Sequence, residues 1–220
     1  MIRTLAAVVL VFAVVRPAAA QYRSPGSGNQ PPGLSLRPFL LVSGERFAAR
    51  RTFEAAFGNR HLPLWGGGLE LVFRGDIFVD LTASRLQKSG QRAFLTDTAF
   101  YRLGIPLSVT MTPLEVAGGY RFRHLAKRVI PYVGAGVGTY WYQEQSPEPY
   151  SDPSENVDAR HSGFLILGGA DLRLHRWLGV AVDVQYTRVS GILGQDGLSK
   201  AADENDLGGT AARVRLLVGR

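Results

Sequence analysis

Cysteine is absent from all 220 residues. That removes disulfides, zinc–thiolate sites and cysteine nucleophiles from consideration, and leaves stability to a large core or a closed hydrogen-bond network. Long apolar runs are also missing: after the first twenty residues none approaches eighteen. Spanning helices are thereby excluded, whereas spanning strands are not, because a strand hides its apolarity in alternation. Acidic residues are in deficit, giving a formal charge of +7. The arginines are spread along candidate strands and do not form one basic block, so no nucleic-acid partner is expected.

The first twenty residues have the pattern of a secretory leader. Met1-Ile2-Arg3 is positive, Leu5–Val15 is apolar, and Ala18-Ala19-Ala20 precedes Gln21 as a small-residue cleavage site. Removing Met1–Ala20 takes away Arg3 and Arg16 and leaves a charge of +5. Gln21–Gly33, rich in Pro, Gly and Ser, is expected to be a linker. Leu34–Arg220 is then the folded domain.

Within that domain the clearest stretch is Pro131–Tyr142, PYVGAGVGTYWY. Val133, Ala135, Val137, Thr139 and Trp141 share one face, and Tyr132, the three glycines, Tyr140 and Tyr142 share the other. The same period of two recurs at Leu34–Ser43, Leu64–Arg74, Ile77–Leu86, a strand ending at Phe122 or Arg123, Gly163–Leu174, Gly179–Val189 and Thr210–Arg220. Pro113 lies in the fourth of these strands and predicts a bulge or a late start there. Long connections at Gly44–Pro63, Gln87–Ile105, Gln143–His161 and Ser190–Gly209 alternate with short ones at Arg74–Asp76, His124–Ile130 and His175–Leu178. A helical turn is predicted at Thr52–Phe57.

Eight alternating strands with long loops at one end and short turns at the other predict an all-β, eight-stranded, antiparallel up-and-down transmembrane β-barrel. A soluble barrel of the same count would put its polar residues outside. Here charge shares a face with glycine and threonine, which makes that face the lumen. The predicted lumen set is Arg37, Glu70, Arg74, Asp80, Glu115, Arg121, Asp171, Arg173, Asp183, Arg213 and Arg215. A barrel of eight strands has room for little besides side chains, so these charges should pair with one another.

The wording Gly118-Gly119-Tyr120-Arg121-Phe122, then a short basic turn, then Pro131-Tyr132-Val133-Gly134-Ala135-Gly136 resembles the OmpA/OmpW-type eight-stranded outer-membrane barrels. The resemblance implies insertion in a bacterial outer membrane with termini in the periplasm and long loops outside. It also implies contact with the barrel-assembly machinery and a structural or surface-interaction role (envelope integrity, adhesion or ligand contact). A narrow channel, or a conduit for small hydrophobic molecules, is the alternative it carries. The chain departs from the pattern at Leu217-Val218-Gly219-Arg220, where an aromatic end is usual, and no appended peptidoglycan-binding domain is read from it.

The long loops differ in sign: +2 for Gly44–Pro63 and for Gln87–Ile105, −4 for Gln143–His161 and −3 for Ser190–Gly209. The first two are expected to lie on lipopolysaccharide phosphates, the last two to face solvent, a divalent cation or a partner. No catalytic, cofactor or metal residue is assigned, and a monomer is expected. His124 and His175 fall in short turns, and His161-Ser162, at a predicted loop–strand junction, lacks an orienting acid and a His-x-Ser pattern. Arg74-Gly75-Asp76 reads as a hairpin turn and not an adhesion motif, and Gly134-x-Gly136-x-Gly138 lies inside a strand with no helix to follow.

Overall fold

The computed structural model describes residues 33–95, 100–125, 128–146, 156–191, 193 and 203–219. The leader at Met1–Ala20, most of the linker and the middle of the third and fourth long loops lie outside them. The described elements are β1 (Leu34–Phe47), α1 (Arg50–Phe57), β2 (His61–Phe73), β3 (Ile77–Leu95), β4 (Phe100–Arg121), β5 (Val129–Gln145), β6 (Val157–Arg173), β7 (Leu178–Arg188) and β8 (Gly209–Val218).

The eight strands follow one another in chain order, all antiparallel, and β8 pairs with β1 to close the barrel. Paired residues can be followed around it from Leu36 through Leu71, Val79, Gly118, Ala135, Ile166, Tyr186 and Thr210 to Arg46, ten residues above the start. A shear of ten over eight strands inclines the strands by about 40°. The period of two that the sequence carries becomes in and out. On β8, Ala211, Arg213, Arg215 and Leu217 are buried while Thr210, Ala212, Val214, Leu216 and Val218 are exposed.

Short turns close the lower end. Arg74 and Gly75 both have positive φ, at 48° and 82°, and the Asp76 N–H donates to the Phe73 carbonyl. This is the two-residue turn whose twist matches that of the flanking strands. Arg123, from the β4–β5 turn, donates to Asp76 at 2.8 Å and to the Arg74 carbonyl at 3.1 Å, tying neighbouring turns together.

The upper end differs from expectation. Gln87–Ile105 is not a loop: β3 and β4 continue as a ribbon to Leu95 and from Phe100, with a register shift between Gln91 and Ala93. Pro113 makes neither a bulge nor a late start. It pairs with Tyr140 on the β5 side, while the ladder to β3 lapses between Ala83↔Leu114 and Leu86↔Met111 and resumes in the same register. The missing proline donor accounts for the lapse. His161 and Ser162 lie well inside β6, opposite Tyr140 and Thr139.

Helix α1 begins two residues earlier than the predicted turn and closes the upper mouth. Its buried side is Thr52, Phe53, Ala55 and Ala56, of which the last three join a cluster containing Phe47, Leu62, Leu64, Leu86, Leu107, Val109, Met111, Tyr142 and Leu207. Phe53 stacks on Phe47 with ring centroids 4.2 Å apart. Gly58 ends the helix in the left-handed region, with its N–H on the Glu54 carbonyl.

Candidate functional site

Inward positions on seven of the strands converge on a connected set of charges. At the lower end Arg121 and Arg37 both bond Asp171, Arg37 at 2.8 Å. Arg37 also lies 3.1 Å from Glu70. Higher up, Arg215 reaches Asp80 at 2.7 Å and Asp183 at 3.2 Å, with Glu70 at 3.9 Å. Arg213 pairs with Asp183 at 2.5 Å, bonds Gln185, and has Glu115 at 3.9 Å. Glu115 accepts from Tyr140 and Gln185 at 2.7 and 3.0 Å.

Tyrosine links the parts. The Tyr132 hydroxyl donates to Asp183 at 2.6 Å and accepts from Arg215 at 2.8 Å. The Arg215 guanidinium also lies over the Phe39 and Tyr132 rings at 5.2 and 5.3 Å. Arg215 is 1% exposed and Asp183 2%. Charges so far from water are tolerable only when paired and hydrogen-bonded, which is how four arginines meet five carboxylates here.

Nine of the eleven predicted lumen residues are therefore brought together. Arg74 and Arg173 are not: both are exposed at the lower rim. Arg74 sits in the turn with positive φ, and β6 ends at Arg173, so alternation no longer points either side chain inward. Tyr132, Tyr140, Gln185 and Thr187 also belong to the network, beyond the set that the sequence predicts. Their inward parity was visible, but their partners come from strands distant in the chain.

Below α1 the apolar cluster fills the upper lumen, and a second apolar cluster lines the middle. In the second, Phe78 lies against Gly119 and Gly134. A Cβ on Gly119 would come within 2.6 Å of the Phe78 ring, so the glycine supplies the space that the ring occupies. Side chains thus fill the lumen by layers: ion pairs below, ion pairs with tyrosine in the middle, and an apolar plug under α1.

The exterior has the opposite polarity. Outward side chains from Leu34 to Val42, Phe73 to Trp65 and Val129 to Val137 are apolar without exception or are glycine. Eight residue steps on tilted strands give the belt an axial height of about 20–25 Å. Leu40 is 63% exposed and Val137 65%. Phe73, Tyr120, Phe122 and Trp177 mark its lower edge, and Trp65, Phe164 and Tyr186 its upper edge.

The other polar groups are scattered. His61 bonds Asn59 at the surface, and His124 and His175 sit in lower turns against Phe122 and Trp177. The buried Nδ1 of His161 has no hydrogen-bond partner among the described residues. Two carboxylates of the fourth loop act as structural acceptors. Glu204 receives the N–H groups of Arg51 and Thr52 and the Thr52 hydroxyl at 2.8–2.9 Å, and Asp206 receives the N–H groups of Val189 and Gly208 at 2.9 Å. Loops one and four therefore touch, and these two carboxylates of the acidic fourth loop are engaged within the chain.

No family model and no curated protein matches the sequence. Among solved structures the chain is similar to the N-terminal β-barrel domain of Pseudomonas aeruginosa OprF, at 14% identity over 84% of this chain and 97% of that one, with a TM-score of 0.45. It is similar to outer membrane protein OprG of Pseudomonas aeruginosa at 13% identity over 85% and 93%, TM-score 0.46. Neisserial surface protein A (NspA) is 10% identical over 86% and 95%, TM-score 0.44.

Proposed function

We propose that the chain is an integral outer-membrane protein whose barrel is closed to solutes. Its contribution is structural and surface-interactive: holding the envelope and presenting its upper loops. The observation that supports this reading is the reversed polarity of the barrel, with paired charges inside and an unbroken apolar belt outside. A water-facing belt of that extent would be an aggregation surface, whereas hydrocarbon suits it. The filled lumen favours a plug over a path, because each lumen arginine would have to exchange partners before an ion could pass. The apolar chamber that a hydrophobic conduit would need is occupied by the side chains beneath α1. The reading assigns no catalysis to the histidines.

Membrane-extracted protein, run in SDS with and without boiling, is expected to shift in mobility and to come from the outer-membrane fraction. Reconstituted in a planar bilayer, it is expected to show no single-channel steps. An unshifted band from a soluble fraction would overturn the membrane reading, and steady conductance lost in Arg121→Ala would replace the plug by a channel.

A further inference from the structure

Immediately above the belt the outward side chains become polar on β3 to β8, and on β1 and β2 they do so one outward position later, after Gly44 and Pro63. Among them are four exposed arginines: Arg46 at the end of β1, Arg85 on β3, Arg160 on β6 and Arg188 at the end of β7. Arg46 and Arg85 make no ion pair among the described residues. Arg160 lies over the Trp141 ring at 4.8 Å, which holds its guanidinium at the boundary. Among the described residues two carboxylates come near the collar, and both have other partners. Asp206 accepts two backbone N–H groups on Oδ1 and turns Oδ2 to Arg188 at 3.8 Å, a long and half-exposed contact, and Asp158, the next outward residue after Arg160, accepts from Gln143 at 3.1 Å.

Guanidinium groups at the edge of an apolar belt face the headgroups of whatever lipid covers that belt. Their planar forks match phosphate. Arg46 and Arg188 are separated by β8 alone: Arg46 is level with Thr210 and Tyr186, and Arg188 lies two residues further up β7, so two strand spacings and two residue steps place the pair about 12 Å apart. Between them β8 presents the exposed hydroxyl of Thr210, which pairs with Arg46 on one side and Tyr186 on the other. Two cations at that spacing with a hydroxyl between them suit a headgroup that carries more than one phosphate.

We propose that this collar binds the phosphates of the outer leaflet's phosphorylated glycolipid, with Arg46, Thr210 and Arg188 as its densest part. This rests on the membrane reading above. It moves the lipid contact expected of loops one and two onto strand ends. In the first loop, Arg50 is instead paired with Glu54 at 3.0 Å.

The test uses the full barrel in detergent, with its fold first established by the boiled-against-unboiled shift. Native mass spectrometry then titrates diphosphoryl lipid A, its dephosphorylated form and phosphatidylglycerol. Wild type is expected to hold diphosphoryl lipid A at least about tenfold more tightly than either of the others. The Arg46→Gln/Arg188→Gln variant should lose that preference, while Arg173→Gln/Arg176→Gln at the lower rim keeps it. Equal binding by the collar variant and wild type overturns the proposal. So does equal wild-type affinity for phosphatidylglycerol, which would make the collar a general anion surface. Absence of the mobility shift in wild type marks failure of the membrane reading instead.

Discussion

Asp183 is the residue on which the lumen network depends most. It faces Arg213 and Arg215, one on either side of the same outward position on β8, and also accepts the Tyr132 hydroxyl. Asp183→Ala would leave two buried guanidiniums short of a counter-charge, which typically costs about 3–5 kcal/mol. Replacing the pair, Asp183→Leu with Arg213→Met, removes both sides of one contact and should cost much less. Arg74→Ala at the exposed turn is expected within about 0.5 kcal/mol of wild type. Urea unfolding of the detergent-folded barrel ranks the three. Equal midpoints for Asp183→Ala and Arg74→Ala would mean that the network adds nothing to stability.

At the scale of elements, α1 is a lid held by a neighbour's carboxylate. Glu204 caps the first turn of the helix through two backbone N–H groups and a hydroxyl, at the end where a negative charge is favoured. Glu204→Ala should weaken the lid by about 1 kcal/mol. Faster amide exchange confined to Arg50–Phe57, with unchanged gel mobility of the barrel, is the expected reading. Slowed exchange or global unfolding would contradict it. The strands of the belt are legible in the chain because outward-facing and lumen-facing residues differ most there. The ribbon above it is not. In Gln87-Lys88-Ser89-Gly90-Gln91 both faces are polar and exposed or nearly so, and alternation has no contrast to reveal. Arg74 and Arg173 escape the alternation for another reason: parity predicts direction only while a strand continues. Tyr132 and Gln185 needed the register of distant strands, which period alone does not supply.

For the molecule as a whole, the belt and the lumen are two faces of one constraint. Eight strands with a shear of ten leave an interior that side chains can fill. Closure also removes the edge strands whose unpaired groups hydrocarbon would not tolerate. If hydrocarbon is what surrounds the belt, the cost of an outward charge must depend on height and not only on exposure. On β5, Val133 lies midway along the belt and Thr139 just above it, both facing outward. Val133→Arg should cost about 2–4 kcal/mol and Thr139→Arg about 0–1 kcal/mol, measured by reversible denaturant unfolding from lipid vesicles. In a barrel whose exterior faced water, arginine at either site would be nearly neutral, because nothing would distinguish the two heights. A flat profile between Val133 and Thr139 would therefore count against the membrane reading even if the barrel were folded and closed. A steep one would locate the hydrocarbon boundary between Val133 and Thr139, beneath the level where the arginine collar begins.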